Sequence, residues 1–325
     1  HKPIVLIGGS TGMIGDPGGR SEERNLLDEE TLQENVIAIR HQLEGLVDFD
    51  RAEMVNNYEW TRDVNILDFL RDVGKHTTVN QMTAKDSIKT RMEGEHGISY
   101  TEFSYMLLQA FDYWWLHTNR GCELQIGGSD QWGNITQGID LIRRRTGSSV
   151  HGLTWPLITR SDGQKYGKSV DGAIWLDPIR TLPYEFHQYW LRVDDRDVRK
   201  FLMQLTLMGI DEIEALVAEH EKSPELRLGQ QRLADEITVL VHGKEAVKKA
   251  QLAAKALFGA SELTTEMLEA LEGLVPETPV QKSLLIGEEP LIDLLVQSDL
   301  SASKSEARRL LKQGGVSVNG EKVSS

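Results

Sequence analysis

Leu124-Gln125-Ile126-Gly127-Gly128-Ser129-Asp130-Gln131-Trp132-Gly133-Asn134 is the stretch on which the fold turns. A short apolar strand, marked by Leu124 and Ile126, runs into two glycines. A polar cluster of Ser129, Asp130 and Gln131 follows, and then a helical run from Ile135 to Arg144. Glycines at a strand end let a ligand approach the backbone. In an open α/β sheet, ligands sit beyond the carboxyl ends of the strands, where this loop lies. Gly-Gly-Ser alone would also suit an ordinary strand-to-helix turn. Asp130 and Gln131 tip the reading toward a ligand, because adjacent carboxylate and amide groups suit ribose and carboxylate recognition.

Upstream, Ile4-Val5-Leu6-Ile7 reads as a buried parallel strand, and it ends in Gly8-Gly9-Ser10-Thr11-Gly12. A glycine-rich turn after a strand is a phosphate-binding candidate, although its spacing is not that of a P-loop or dinucleotide fingerprint. Arg20 and Arg24 add two cations that could hold a polyphosphate; a solvated surface loop is the competing reading. Residues Asp28 to Leu46 read as an amphipathic helix with Leu32, Val36, Ile39 and Leu43 on one stripe. Met54-Val55 reads as a strand, followed by Asn56-Asn57-Tyr58 and a helix through Ile66, Leu67 and Leu70. Ser99-Tyr100-Thr101-Glu102 has capping-box spacing and should start a helix. On that helix Tyr105, Gln109 and Asp112 share a face amid Phe103, Met106, Leu107, Leu108 and Phe111. A face so surrounded is buried, and buried polar groups need partners; otherwise it is a solvated stripe. Downstream, Thr154 to Ile158 reads as a strand, and Arg160 to Ser169 as a cationic loop carrying Lys165 and Lys168 around Gly167.

Composition sets the frame. The net charge of −14 argues against non-specific nucleic-acid binding by the whole molecule, though not against a local basic face. The single cysteine, Cys122, excludes an internal disulfide and fits a reducing compartment. No apolar run reaches membrane-spanning length and no signal-peptide pattern is present, so a cytoplasmic protein is expected. The fold class expected is α/β: a Rossmann-like parallel-sheet catalytic domain, then an α-helical domain and a small α+β RNA-binding unit. The divisions fall at 1–183 for the catalytic domain, 184–272 for the helical domain, 273–290 for a linker and 291–325 for the terminal unit. That unit reads as helix Leu291–Val296, helix Lys304–Lys312 and a hairpin turning on Asn319-Gly320. Lys304, Arg308, Arg309 and Lys312 on its second helix form a candidate RNA footprint in an acidic chain.

Taken together, Leu124–Asn134, Lys165-Tyr166-Gly167-Lys168-Ser169, the Tyr105/Gln109/Asp112 face and Gly12–Asp16 closely resemble bacterial-type tyrosyl-tRNA synthetases, class I aminoacyl-tRNA synthetases. The resemblance covers nearly the whole chain and implies ATP-dependent activation of L-tyrosine to tyrosyl-adenylate and transfer to tRNA(Tyr). It implies that Asp16, Tyr105 and Gln109 hold the substrate ammonium and that Asp112 accepts from its phenol. Asn80 and Gln125 would line the pocket, Gln131 would face the carboxylate, and Gly128 and Asp130 would bind the ATP side, Asp130 at the ribose. Lys165 and Lys168, with Arg20 and Arg24, would stabilise the leaving pyrophosphate. ATP with Mg2+ enters as substrate, and neither a tightly bound cofactor nor a structural metal is implied. The helical domain would recognise the anticodon. Similar enzymes form homodimers, here expected through roughly Val64 to Tyr100, with Phe69, Leu70, Met82 and Tyr100 as apolar candidates.

The family's His-x-Gly-His signature does not occur; its place would lie upstream of His1, so the sequence reads as lacking the first strand of its catalytic domain. The terminal unit reads as incomplete at Ser325, and Arg20 stands where many relatives carry lysine. Two other readings compete: a catalytically decayed synthetase-like RNA-binding protein, and the similar tryptophanyl-tRNA synthetases. Lys165, Lys168, Asp130 and Gln131 argue against decay, since binding alone needs none of them.

Overall fold

The computed structural model of the chain describes residues 1–15, 29–85, 88–89, 92–94, 97–159, 161, 174–259, 263–287, 289–319 and 321–323. The chain divides into two compact units, His1–Val170 and Asp171–Ser325.

The first unit contains two parallel strand pairs. β1 (Ile4–Ile7) is the expected aliphatic strand, and it passes directly into α1 (Gly9–Ile14). The segment read as an open glycine turn is therefore helical from Gly9. Packing is the reason: a Cβ on Gly9 would stand 2.0 Å from Asn56 Oδ1, so the glycine lets α1 sit against the neighbouring strand end. α2 (Glu29–Glu44) follows the amphipathic run, but its stripe is unevenly covered, with Leu32 buried, Val36 and Leu43 half-buried and Ile39 44% exposed. β2 (Glu53–Asn56) pairs with β1 from Ile4↔Glu53 to Ile7↔Asn56. Three short helices come next: α3 (Tyr58–Thr61), α4 (Ile66–Asp72) and α5 (Val79–Thr83). The Asn65 side chain caps α4, and a Thr78–Gln81 capping box opens α5.

The capping box read at Ser99 is formed in both directions and opens α6 (Tyr100–Arg120). β3 (Leu124–Gly128), a single 3-10 turn over Ser129–Gln131 and α7 (Trp132–Thr146) realise the deciding stretch, with the helix starting at Trp132 rather than Ile135. β4 (His151–Trp155) lies parallel to β3, from Leu124↔His151 to Gly128↔Trp155. The strand thus lies earlier than the expected Thr154–Ile158. Pro156 has no N–H to offer a ladder, which stops the pairing after Trp155. α6 and α7 pack side by side, closely enough that a Cβ on Gly138 would come 2.8 Å from Tyr113 Cδ1. The core they cover gathers Val55, Trp60, Val73, Met106, Phe111 and Leu141. Met82 belongs to the same core at 4% exposure, so it leaves the set of interface candidates, whereas Leu70 and Tyr100 remain exposed.

The second unit is helical after Pro183, as its composition implied: α8 (Pro183–Leu191), α9 (Asp195–Leu205), α10 (Ile210–His220), α11 (Leu228–His242), α12 (Lys244–Phe258) and α13 (Thr265–Leu271). α14 (Pro290–Gln297), α15 (Lys304–Lys312) and the antiparallel pair β5 (Ser317–Val318) and β6 (Glu321–Lys322) complete it. Asn319 takes φ 53° at the hairpin turn, the left-handed geometry an Asn-Gly turn requires. Ile292, Leu295, Ala307, Leu311 and Val316 give this end of the chain its own small core. Among the described residues no helix is long and apolar enough to cross a membrane.

Candidate active site

The polar face of α6 meets the end of β2. Asp112 is 1% exposed, and both its oxygens are engaged: Asn57 Nδ2 donates to Oδ2 at 2.9 Å and Trp60 Nε1 to Oδ1 at 2.8 Å. Asn57 is itself fully buried. Its Nδ2 also donates to Thr11 Oγ1 at 3.0 Å, and its Oδ1 accepts from the Ser10 backbone N–H at 2.8 Å. The Trp60 indole stacks on Trp115 at 4.2 Å, which fixes the direction of its N–H. Burial pushes the Asp112 carboxyl up to about 7, against the pull of the Asn57 and Trp60 hydrogen bonds. A carboxylate accepts through roughly four lone-pair positions, so a hydroxyl donor can still be received beside the two protein donors.

One helical turn earlier, Gln109 is tied to the loop after β3. Asn134, near the start of α7, donates through Nδ2 to Gln109 Oε1 at 3.0 Å and to Gln131 Oε1 at 3.3 Å. Gln131 Nε2 lies 3.4 Å from Asp130 Oδ2. Gly128 makes room for that carboxylate, since a Cβ there would fall 2.6 Å from Asp130 Oδ1. On β3, Gln125 Oε1 is buried with no hydrogen-bond partner among the described residues. A buried acceptor of this kind calls for a donor beyond the described residues. Tyr105 is half-buried on α6, in the turn before Gln109.

The structure therefore links Gln109, Gln131 and Asp130 through Asn134, and it buries Asp112 in a neighbouring cluster on the same helix. Asn80 does not join either network; it stands exposed on α5. Asp16, Arg20, Arg24, Lys165 and Lys168 lie outside the described residues. Sequence reasoning gave no role to Asn57, Trp60 or Asn134. For Asn57 the available signal was its position just past a strand's carboxyl end; for Asn134 it was a polar residue three after Gln131, one helical turn away.

The expected RNA footprint carries its own counter-charges. Arg308 Nε donates to Glu289 Oε1 at 3.1 Å while its Nη2 reaches Oε2, and Lys304 pairs with Asp293. Arg309 lies 3.6 Å from Glu306, and Lys312 is exposed. The Arg308 guanidinium holds the Glu289 carboxyl below the usual carboxylate range.

Residues 1–259 match the family described as tRNA synthetases class I (W and Y), and residues 268–325 match the tyrosine–tRNA ligase SYY-like C-terminal domain. The chain is 50% identical to the tyrosine–tRNA ligase of Bacteroides thetaiotaomicron over 340 residues, spanning 99% of this chain and 78% of that protein. Among solved structures it resembles a C-terminally truncated mitochondrial tyrosyl-tRNA synthetase of Aspergillus nidulans, at 31% identity and a TM-score of 0.69, covering 79% of this chain and 77% of the other. The corresponding Coccidioides posadasii structure gives 32% identity and a TM-score of 0.64, over 77% and 73% of the two chains.

Proposed function

The chain belongs to the class I tRNA synthetases of the tyrosine and tryptophan family, as a tyrosine–tRNA ligase, and we propose that it reads its amino acid through Asp112, Gln109 and Gln131. In the first step a carboxylate oxygen of tyrosine attacks the α-phosphorus of ATP. The bond to the bridging β-phosphate oxygen breaks, and pyrophosphate leaves. In the second, a hydroxyl of the tRNA's terminal ribose attacks the carbonyl carbon and AMP departs. The first nucleophile is already an anion, so that step needs no general base. Positioning, and charge placed where pyrophosphate develops, are what the protein must supply.

The observation that carries this reading is the buried Asp112, held from two sides with acceptor capacity to spare. A tyrosine phenol donating to it completes the set. Phenylalanine would leave a buried carboxylate short of a partner, a loss of about 1–3 kcal/mol or more for a charged group. In this reading Asp16, Tyr105 and Gln109 hold the ammonium, Asn80 and Gln125 line the pocket, and Gln131 faces the carboxylate. Gly128 and Asp130 bind the ATP side, Asp130 at the adenylate ribose, with Mg2+ travelling on the ATP phosphates. Lys165 and Lys168, helped by Arg20 and Arg24, meet the pyrophosphate. Residues 184–272 take the anticodon, Lys304, Arg308, Arg309 and Lys312 contact tRNA, and the protein works in the cytoplasm.

A homodimer belongs to the same proposal. Ile66, Leu67, Leu70 and Tyr100 are exposed apolar side chains, and a cavity of about 310 Å³ lined by Val64, Phe69, Tyr100 and Leu108 opens beside them. Sedimentation at micromolar concentration should give twice the chain mass; a monomer mass would remove the dimer. The activity itself is tested by ATP–pyrophosphate exchange with the protein, offered tyrosine, tryptophan or phenylalanine in turn. Exchange should depend on tyrosine. Exchange driven equally by tryptophan would overturn the assignment of Asp112.

A further inference from the structure

We propose that Asn134 is a positioning residue that sets the polarity of two substrate-facing amides, an inference that rests on the tyrosine reading of Gln109 and Gln131. A carboxamide side chain presents an oxygen on one side and an NH2 on the other, and the two ends have nearly the same shape. A glutamine therefore holds the correct end toward a substrate only if its other contacts choose for it. Asn134 makes that choice for Gln109 and, together with Asp130, for Gln131. Its Nδ2 donates one hydrogen to Gln109 Oε1 at 3.0 Å and the other to Gln131 Oε1 at 3.3 Å. It spans from the first turn of α7 to the middle of α6 and back to the 3-10 turn ahead of it.

The consequence differs for the two glutamines. With its Oε1 committed to Asn134, Gln131 has Nε2 turned to the other side, toward Asp130 at 3.4 Å, where an NH2 can donate to a substrate carboxylate. Gln109 keeps its oxygen at the shared position, and the second lone pair of that oxygen can receive an ammonium hydrogen. One NH2 thus sets a donor for the negative end of an amino acid and an acceptor for the positive end. Tyrosine is the substrate it orients, and the effect falls on amino-acid binding rather than on ATP.

Two substitutions separate this role from packing. Asn134→Ala removes the NH2, and Asn134→Asp keeps the shape but replaces the donor with an acceptor, so both glutamines must turn to satisfy it. A packing role makes Asp the milder change; a polarity role makes it the harsher. The expected result in steady-state exchange is a tyrosine KM raised roughly five- to ten-fold for Asn134→Ala, the worth of one to two neutral hydrogen bonds. Asn134→Asp should raise it further. KM for ATP and the thermal midpoint should hold in both. In a Gln109→Ala/Gln131→Ala background, Asn134→Ala should add less than about two-fold, since coupled residues do not add. Equal losses toward tyrosine and ATP, a milder Asp than Ala, or a full additional cost in that background would overturn the role. If Gln109→Ala and Gln131→Ala leave tyrosine KM unchanged, the site assignment falls and the role with it. If they raise it while Asn134→Ala does not, only the role of Asn134 falls.

Discussion

Two charged clusters in this molecule are built from similar parts and have opposite physics. Around Asp112 a carboxylate is 1% exposed and receives two neutral donors, with no cation among them. Arg308 on α15 and Glu289, just ahead of α14, have side chains 52% and 39% exposed and grip each other bidentately. Removing a charge from water is costly, and at Asp112 the cost shows as a carboxyl raised to about 7. At α15 water and salt screen the pair, so the ions can exchange partners at little cost. A buried carboxylate held by neutral donors, with no cation against it, is suited to choosing one small ligand. A loosely tethered arginine is suited to meeting a phosphate on a flexible polyanion.

The largest effect that follows is on the pH dependence of folding. Asp112 has a folded value near 7 against an ordinary 3.8, so between these pH values the folded chain holds a proton that the unfolded chain has released. Stability from this group is therefore full below about pH 4 and is lost as pH rises to about 7, a span on the order of 4 kcal/mol at about 1.4 kcal/mol per pH unit. Urea titrations from pH 4 to 8 should show that decline, and Asp112→Asn should flatten it. An unchanged slope in the variant would place the titration elsewhere.

A smaller effect belongs to Trp60. Replacing it with phenylalanine keeps a ring on Trp115 but removes one donor from Asp112. The carboxyl should rise further, and stability above pH 7 should fall by about 1.5–3 kcal/mol, the usual worth of a bond to a charged group. Denaturant unfolding with no loss would mean that the N–H leaves the ion unsupported. The smallest effect on folding is expected at Glu289→Gln. Unfolding should be unaltered while RNA binding strengthens, and the slope of log affinity on log salt should steepen by about 0.7–0.9, one phosphate contact. A clear drop in unfolding midpoint with unchanged RNA affinity would erase the contrast between the clusters.

The elements legible in the sequence were those whose signals are local. The Ser99 capping box needs only the four residues that form it, and both its hydrogen bonds are made. The helix over Lys304–Lys312 and the Asn-Gly hairpin likewise carry their own boundaries. What escaped depended on distant partners. The glycines after β1 permit an open turn or a helix, and the helix that forms brings Gly9 so close to Asn56 on another strand that no side chain fits there. β4 starts at His151 because β3 sets its register, which the local composition cannot show. The face bearing Tyr105, Gln109 and Asp112 was visible from helical spacing. The residues engaging it were not, because Asn57 lies 55 positions from Asp112 and Asn134 lies 25 from Gln109.

Selectivity for tyrosine over phenylalanine rests, in this proposal, on Asp112 accepting the substrate hydroxyl. The most direct measurement is the ratio of kcat/KM for tyrosine over phenylalanine in pyrophosphate exchange, in the protein and in Asp112→Ala. The substitution should lower kcat/KM for tyrosine far more than for phenylalanine, so that the preference collapses. A preference that survives intact while both substrates lose activity equally would show that Asp112 supports the fold and does not touch the hydroxyl.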